Sequence, residues 1–456
     1  MKTPSKQIDF ARGSIVKSIV IFSAPIVLGE LFQNLYNSVD ALVVGNFVDE
    51  NALAAVTVGG FISNMIVSFF NGMSVGSNVV VSKSFGGGEW EELHSKIRIA
   101  FTFSVALGVV LSVLGIVFAP QLLALAGVQP EYYAEALTYL RIYLAGILFT
   151  VIYNSGAGIL RAIGDSSTPF RILVIACCAN IVLDVLFVVA FPLGVAGVGI
   201  ATVISQGISV CLVYCAINRS RQIRCFDFGE MLHRGKQTIL EVLRVGMTAG
   251  MQSALIGFSN IFVVRYMNYF DTASVAGIGI AQRLDKFIAL PAKAFGVTMT
   301  TYVGQNIGAG KKGRVQEGKI KCLTVALCVT LVMSIIVLLF AEQSVRLFNS
   351  DPAVVRVGVS MLRVLSPTFW LMAIREVYLG VLRGCGKNAA PMLLSLAGMV
   401  GVRQLFLAVA MHKNPVIENI YVCYPIAWLA TAVLLLCYYR AVKNQLLTKD
   451  NFMAQD

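Results

Sequence analysis

This chain is short of charge. Asp, Glu, Lys and Arg together make up 13% of its 456 residues, where a soluble domain carries roughly 25%. Long polar stretches are missing too: the longest, from Asn218 to Gln237, is too short for a soluble domain. Histidine occurs only three times, at His94, His233 and His412, in separate loops, so no zinc cluster is in view. Most of the ten cysteines, such as Cys177, Cys178, Cys211 and Cys215, lie in apolar runs and none forms a CxxC pair; they pack as small apolar residues rather than as disulfides or metal ligands. No GxxxxGK[ST] loop marks ATP use, and no cluster of His, Cys or Ser with a base marks an enzyme.

What the chain has instead is oil. Hydrophobic residues reach 57% and the mean hydropathy is +0.77. Twelve apolar stretches recur along the whole length, at approximately 15–45, 53–82, 98–119, 134–158, 170–191, 197–217, 239–266, 274–305, 322–340, 354–380, 392–410 and 419–439. Each is long enough to cross ~30 Å of hydrocarbon, and only helices satisfy their own backbone there. The basic start through Lys17 followed by an apolar run imitates a signal peptide, but the run is too long and is read as an uncleaved first helix. The net charge of +12 invites a nucleic-acid reading, yet its distribution points elsewhere. Basic residues crowd alternate loops (Lys83, Lys96 and Arg98; Arg219, Arg221, Arg224 and Arg234; Lys311, Lys312 and Arg314), while "NFVDENA" and "PLGVAG" have almost none. By the positive-inside rule this predicts a multi-pass protein of the cytoplasmic (inner) membrane with both termini in the cytoplasm.

The two halves repeat. "GILRAIGDSSTP" (158–169) and "GVLRGCGKNAAP" (380–391) are offset by 222 residues. The same offset pairs Gly86 with Gly308, Gly88 with Gly310, Pro130 with Pro352, Arg141 with Arg363, Arg161 with Arg383 and Pro169 with Pro391. A run of such matches in one register predicts an all-α integral membrane fold of two six-helix lobes related by a parallel pseudo-twofold repeat, with a substrate site between lobes. The expected organisation is an N-terminal lobe at 1–217, a cytoplasmic linker at 218–238, a C-terminal lobe at 239–440 and a cytoplasmic tail at 441–456.

Major facilitators share a 6+6 plan, but their Gly-Asp-Arg-Gly loop is not what "KSFGGGEWEELHSKIR" spells. The segments "SAPIVLGELFQNLYNSVDALVVGNFVDENALAAV", the duplicated GxLRxxGxxxxP and "YVGQNIGAGKKGR" resemble instead the multidrug and toxic compound extrusion (MATE) family, and the resemblance spans nearly the whole chain.

Polar residues inside the apolar runs mark where function is expected, because charge within the membrane is costly. In "GELFQNLYNSVD", Glu30, Gln33, Asn34, Asn37 and Asp40 fall within an arc of about 120° on a helix, opposite an oily face. Asn180 and Asp184 in "NIVLD" share a face at i, i+4, and Thr202, Ser205 and Gln206 follow on the next helix. Asp40, Asp184 and Thr202 come out at a similar depth, roughly 8–12 Å below the outer surface. Oxygen ligands converging in one lobe predict a cation site for H⁺ or Na⁺, with Asp40, Asn180, Asp184 and Thr202 as the metal set if the ion is Na⁺. The resemblance implies the same residues in cation coupling. The competing reading is structural, with the two acids fixing lobe packing.

The second lobe departs from the first: at the repeat offset Asp40 becomes Phe262 and Asp184 becomes Phe406. That favours first-lobe coupling, as in the DinF-like branch. Its own polar residues, Gln252, Arg283, Asp285, Lys286, Lys293 and Glu376, are expected to line a cavity as ion pairs or to touch an anionic or zwitterionic substrate. Pro25 removes a helix hydrogen bond below Asp40 and is either a conformational hinge or a static kink. Together these readings predict a secondary antiporter with no enzyme activity and no cofactor beyond its coupling ion. It would export amphipathic, often cationic compounds as a monomer in lipid, with no nucleic-acid partner. The alternative on a related fold is a flippase for lipid-linked or other anionic amphiphiles.

Overall fold

The computed structural model describes residues 7–47, 50–221 and 226–447, excepting the side chains of 35–53 and a few others. All regular structure among them is helical. In chain order the helices are α1 (Ile15–Phe47), α2 (Glu50–Gly87), α3 (Trp90–Leu125), α4 (Tyr133–Ala145), α5 (Ile147–Ala162), α6 (Ser167–Val185), α7 (Gly194–Arg221), α8 (Phe228–Arg234) and α9 (Lys236–Met267). The series continues with α10 (Thr272–Gly308), α11 (Lys312–Leu339), α12 (Ala341–Arg346), α13 (Pro352–Leu365), α14 (Trp370–Gly384), α15 (Ala389–Leu396), α16 (Arg403–Lys413) and α17 (Glu418–Leu447). Short π-helical turns extend α6 at Leu186–Ala190 and join α15 to α16 at Ala397–Val402.

Eight apolar helices are long enough to cross a membrane among the described residues, and two bent pairs, α4–α5 at 41° and α13–α14 at 50°, raise that to ten. Helices α2 and α10, of 38 and 37 residues, also have the length. Ser, Asn and Gly residues make the first less apolar, and Arg283, Asp285, Lys286 and Lys293 the second. Only 22% to 44% of the residues in the apolar windows of the eight helices are buried. Val113, Val117, Leu331, Ile335 and Leu339 instead face outward, as hydrocarbon permits and water does not.

Packing divides the chain into two units, Met1–Asp9 with Ala24–Gly250, and Phe10–Ser23 with Met251–Asp456. Thus α1 starts in the second unit and continues in the first, while α9 starts in the first and continues in the second. The core of the first unit gathers Phe70, Val81, Ile97, Phe101, Leu140, Ile159 and Val213; that of the second gathers Ile278, Leu362, Phe369, Leu407, Tyr421 and Trp428.

The duplication is visible at atomic detail. Gly88 and Gly310 end α2 and α10 with φ of 74° and 69°, and Gly164 and Gly386 follow α5 and α14 with φ of 89° and 82°. These are helix stops that need a left-handed residue, and the latter pair close with matching bonds, Asp165 N to Leu160 O at 2.9 Å and Lys387 N to Leu382 O at 3.0 Å. A Cβ on Gly158 would stand 2.4 Å from Ser74 O, and one on Gly380 2.3 Å from Gly296 O. Ser74 and Gly296 are themselves repeat mates, so each unit is built on the same close crossing, α5 on α2 and α14 on α10.

Candidate functional site

Within the first unit, α2, α4, α5, α6 and α7 surround a cavity of about 130 Å³. Its wall carries polar groups: Gln33 from α1, Ser63 from α2, Thr150 and Asn154 from α5, and Thr202, Ser205, Gln206 and Ser209 from α7. Tyr139, Tyr143 and Tyr153 supply aromatic surface with hydroxyl ends. Thr150 Oγ1 donates to Gln206 Oε1, joining α5 to α7 across the wall. The cavity is mixed in character, as a pocket for amphipathic guests must be.

Of the residues singled out from the sequence, Gln33, Thr202 and Gln206 line this cavity. Asn180 and Asp184 on α6 are 0% exposed and Thr202 3%. The Thr202 hydroxyl donates back to Val198 O at 3.0 Å. Asp184 sits two residues before the π-helical turn at Leu186–Ala190, the kind of local departure that recurs at functional positions. Asn34 is half-buried away from the cavity lining. Pro25 lies inside α1, which stays helical through it. Asn37 and Asp40 lie on α1, but their side chains fall outside the described residues. No group of three or more His, Cys, Asp or Glu is placed to hold a metal ion among the described residues.

Glu30 is exposed and acts electrostatically on Arg161 and Tyr153. Arg161 Nη2 also donates to Ser74 Oγ at 2.7 Å. The repeat mates of Glu30 and Arg161 are Gln252 and Arg383, and these bond directly, Arg383 Nη2 donating to Gln252 Oε1 at 2.7 Å. One arginine position therefore answers one position on the first helix of each repeat, with a carboxylate in the first unit and an amide in the second.

The same mapping shows why a cavity is found in the first unit. Thr150, Tyr143, Tyr139, Thr202 and Gln206 correspond to Met372, Leu365, Met361, Tyr424 and Trp428. Trp428 is 1% exposed and packs on Phe369 and Tyr424 at ring distances of 5.9 and 6.3 Å. Tyr424 accepts from Gln282 Nε2 at 2.9 Å, and Gln282 is the mate of Gly60 on the cavity wall. Larger side chains fill that space. Other mates become charged: Ser63, Asn64, Asn71, Tyr153 and Asn154 correspond to Asp285, Lys286, Lys293, Arg375 and Glu376.

In the second unit Arg375 Nη2 meets Glu376 Oε1 at 2.5 Å, and Asp285 feels Lys293, Arg375 and Lys286. Lys286 and Lys293 are exposed, whereas Gln252 is buried. Arg283 is exposed as well. The sequence reading missed Ser63, the three tyrosines, Thr150 and Asn154, because nothing about an isolated Tyr or Ser in an apolar helix distinguishes it. Reading the second unit's charges back through the 222-residue offset marks Ser63, Tyr153 and Asn154.

Comparison with known proteins agrees with this architecture. The MatE family profile matches residues 25–186 and 249–409, the two repeats. The probable multidrug resistance protein YpnP of Bacillus subtilis is 30% identical over 403 residues, 88% of this chain and 90% of its own length. The multidrug export protein MepA of Staphylococcus aureus (strain MRSA252) is 22% identical over 87% of this chain and 88% of its own. A MOP-superfamily transporter from Pyrococcus furiosus superposes with a TM-score of 0.89 at 22% identity, covering 98% of this chain and 100% of that one. A MATE transporter in an outward-facing conformation does so with 0.89 at 21%, covering 98% and 99%.

Proposed function

The chain belongs to the MatE family of multidrug efflux transporters, and on that premise we propose that it is an ion-coupled antiporter whose coupling site lies in the first unit. The observation that carries this is the full burial of Asp184 with Asn180 on α6, a carboxylate and an amide in an apolar helix that lines the polar cavity through Leu173, Ala176 and Cys177. A carboxylate in such surroundings holds a cation, H⁺ or Na⁺, far more readily than one in water. Asp40 on α1 and Thr202 on α7 complete the proposed set. With Phe262 and Phe406 at the mates of Asp40 and Asp184, the second unit lacks the corresponding acids, which supports a DinF-like, first-unit mode of coupling.

The cargo is an amphipathic organic molecule, often cationic, that contacts Gln33 and Gln206 on the cavity wall and Glu30 nearby. Asn34 and Asn37 extend the polar face of α1. Ion binding and cargo binding favour different conformations, and the cycle couples them because each ligand has different affinity for the two. Pro25 is the proposed point at which α1 bends. The protein works as a monomer in the cytoplasmic membrane, both termini inside, with residues 1–217 and 239–440 as its lobes. The flippase alternative finds no support in the relatives named above.

The test is dye export from proteoliposomes under a proton gradient without Na⁺, and then under a Na⁺ gradient without ΔpH. One gradient is expected to drive export in wild type, and Asp40→Asn and Asp184→Asn each to abolish it. Gradient-independent export that both variants retain would rule the coupling site out.

A further inference from the structure

The cluster on α10 and α14 carries more positive charge than its own carboxylates balance. Among the described residues, Lys286, Lys293, Arg375 and Arg383 act on two carboxylates, Asp285 and Glu376. Glu376 is committed: it pairs with Arg375 at 2.5 Å, and it lies so close to α10 that a Cβ on Gly296 would sit 3.1 Å from its Oε2. Arg383 spends a donor on the neutral Gln252. Asp285 is the opposite case, because its Oδ1 is buried and has no hydrogen-bond partner among the described residues. Lys286 and Lys293, two turns apart on α10, are exposed while lying within electrostatic reach of that carboxylate. The mates of Asp285, Lys286, Lys293, Arg375 and Glu376 in the first unit, Ser63, Asn64, Asn71, Tyr153 and Asn154, carry no charge, so of this cluster the repeat architecture keeps only the arginine at 383, whose mate is Arg161.

Excess charge in a membrane helix bundle is costly unless something supplies the opposite sign. A purely cationic guest would add to the excess. A simple anion would satisfy the lysines but leave Asp285 Oδ1 without a donor. One molecule that carries both a carboxylate or phosphate and a protonated amine satisfies both. We propose that the second unit holds a recognition site for zwitterionic amphiphiles, with Lys286 and Lys293 taking the oxyanion and Asp285 the ammonium. Arg375–Glu376 and Arg383–Gln252 are positioning pairs that hold α14 against α10. This deepens the export reading by naming a substrate class for residues outside the first-unit cavity.

The experiment measures binding to the full chain in phosphatidylglycerol nanodiscs. The probe is a fluorescent aromatic amino-carboxylic acid, compared with its methyl ester and its N-acetyl derivative. Wild type is expected to bind the zwitterion at least about tenfold more tightly than either derivative, the scale of one charge-assisted contact. Lys286→Gln with Lys293→Gln should erase the acid–ester difference, and Asp285→Asn the amine–amide difference. The double Lys→Arg variant, which keeps the charge, should retain the first difference and control for folding. Added phosphatidylethanolamine separates the two sources of such a group. Competition with the probe that depends on both lysines assigns the site to a lipid headgroup, and its absence, with the probe differences intact, assigns it to a soluble substrate. Equal binding of all three probes, with no lipid competition, overturns the proposal. Gradient-driven export by wild type of a permanently cationic dye without a carboxylate tests the antiporter reading separately: that reading can fail while the binding differences stand, and the reverse.

Discussion

Gly158 and Gly380 show how much one missing methyl group decides. Each lets two helix backbones touch at a carbonyl, Ser74 O in the first unit and Gly296 O in the second. The atom that a Cβ would strike is backbone and has no rotamer to yield. Gly158→Ala or Gly380→Ala should therefore destabilise the protein by ~1–3 kcal/mol despite the better helix propensity of alanine, read as a lower unfolding midpoint in detergent. Gly60→Ala makes the contrast, because nothing beyond its own helix backbone and chain neighbours lies within 4 Å of its Cβ position, and should hold or raise the midpoint. The exchange of Gln206 for Trp tests the cavity at the same scale. It places in the first unit what Trp428 places in the second, and should lower transport about tenfold or more through lost volume while the protein stays folded. Trp428→Ala should instead cost ~3–5 kcal/mol of stability, because it empties a filled core.

Among elements, α8 is attached through a carboxylate and should loosen in acid. Asp227 caps it, accepting from Glu230 N at 2.9 Å, while Asp227 N donates to Thr102 Oγ1 at 3.0 Å. Glu230 accepts from Arg98 on α3, one bond being Nη2 to Oε1 at 3.0 Å. The Arg98 hydrogen bond holds the Glu230 carboxyl below the ordinary glutamate value of 4.5. A depressed carboxyl binds protons more weakly folded than unfolded, so its contribution is complete above that value and is lost as pH falls through the lower, folded one. Hydrogen exchange over residues 226–235, corrected for intrinsic rate, should accelerate as pH is lowered below about 4.5 in wild type and show no such step in Glu230→Gln. An unchanged wild-type profile would mean that α8 is held by Met231 burial alone.

For the molecule as a whole, the division of α1 and α9 between units matters most. Before α1 begins, Phe10 is wholly buried in the second unit, its ring 5.0 Å from Phe22 and 5.4 Å from Tyr302. Its N–H donates to Gln305 Oε1 at 3.0 Å, and its carbonyl accepts from Asn306 Nδ2 at 3.2 Å and Arg314 Nη2 at 3.1 Å. Lys311 Nζ donates to Ala11 O at 2.9 Å. Phe10→Ala should cost ~3–5 kcal/mol, the loss of a buried aromatic ring, seen as a depressed thermal midpoint of the full chain. A midpoint within a degree of wild type would show that the backbone bonds alone hold this segment.

The long apolar runs by themselves determined that the chain is a helical membrane protein, since a run of about 20 apolar residues pairs its own backbone in hydrocarbon only as a helix. The 222-residue register determined the duplication, because the glycines at 88 and 310 and at 164 and 386 sit where a left-handed stop is obligatory and survive as visible matches. Polar residues in oily helices were legible one at a time: Asn180, Asp184 and Thr202 stood out because burying them is costly. Which of them share a wall was not legible, since neighbours across helices depend on rotation and crossing, and only the folded α2, α5 and α7 brought Ser63, Thr150 and Gln206 to one cavity. The fate of that cavity in the second unit was decided the same way. Met372, Tyr424 and Trp428 read as ordinary apolar residues along the chain, and only their convergence in three dimensions makes them the filling of a space that their repeat mates leave open.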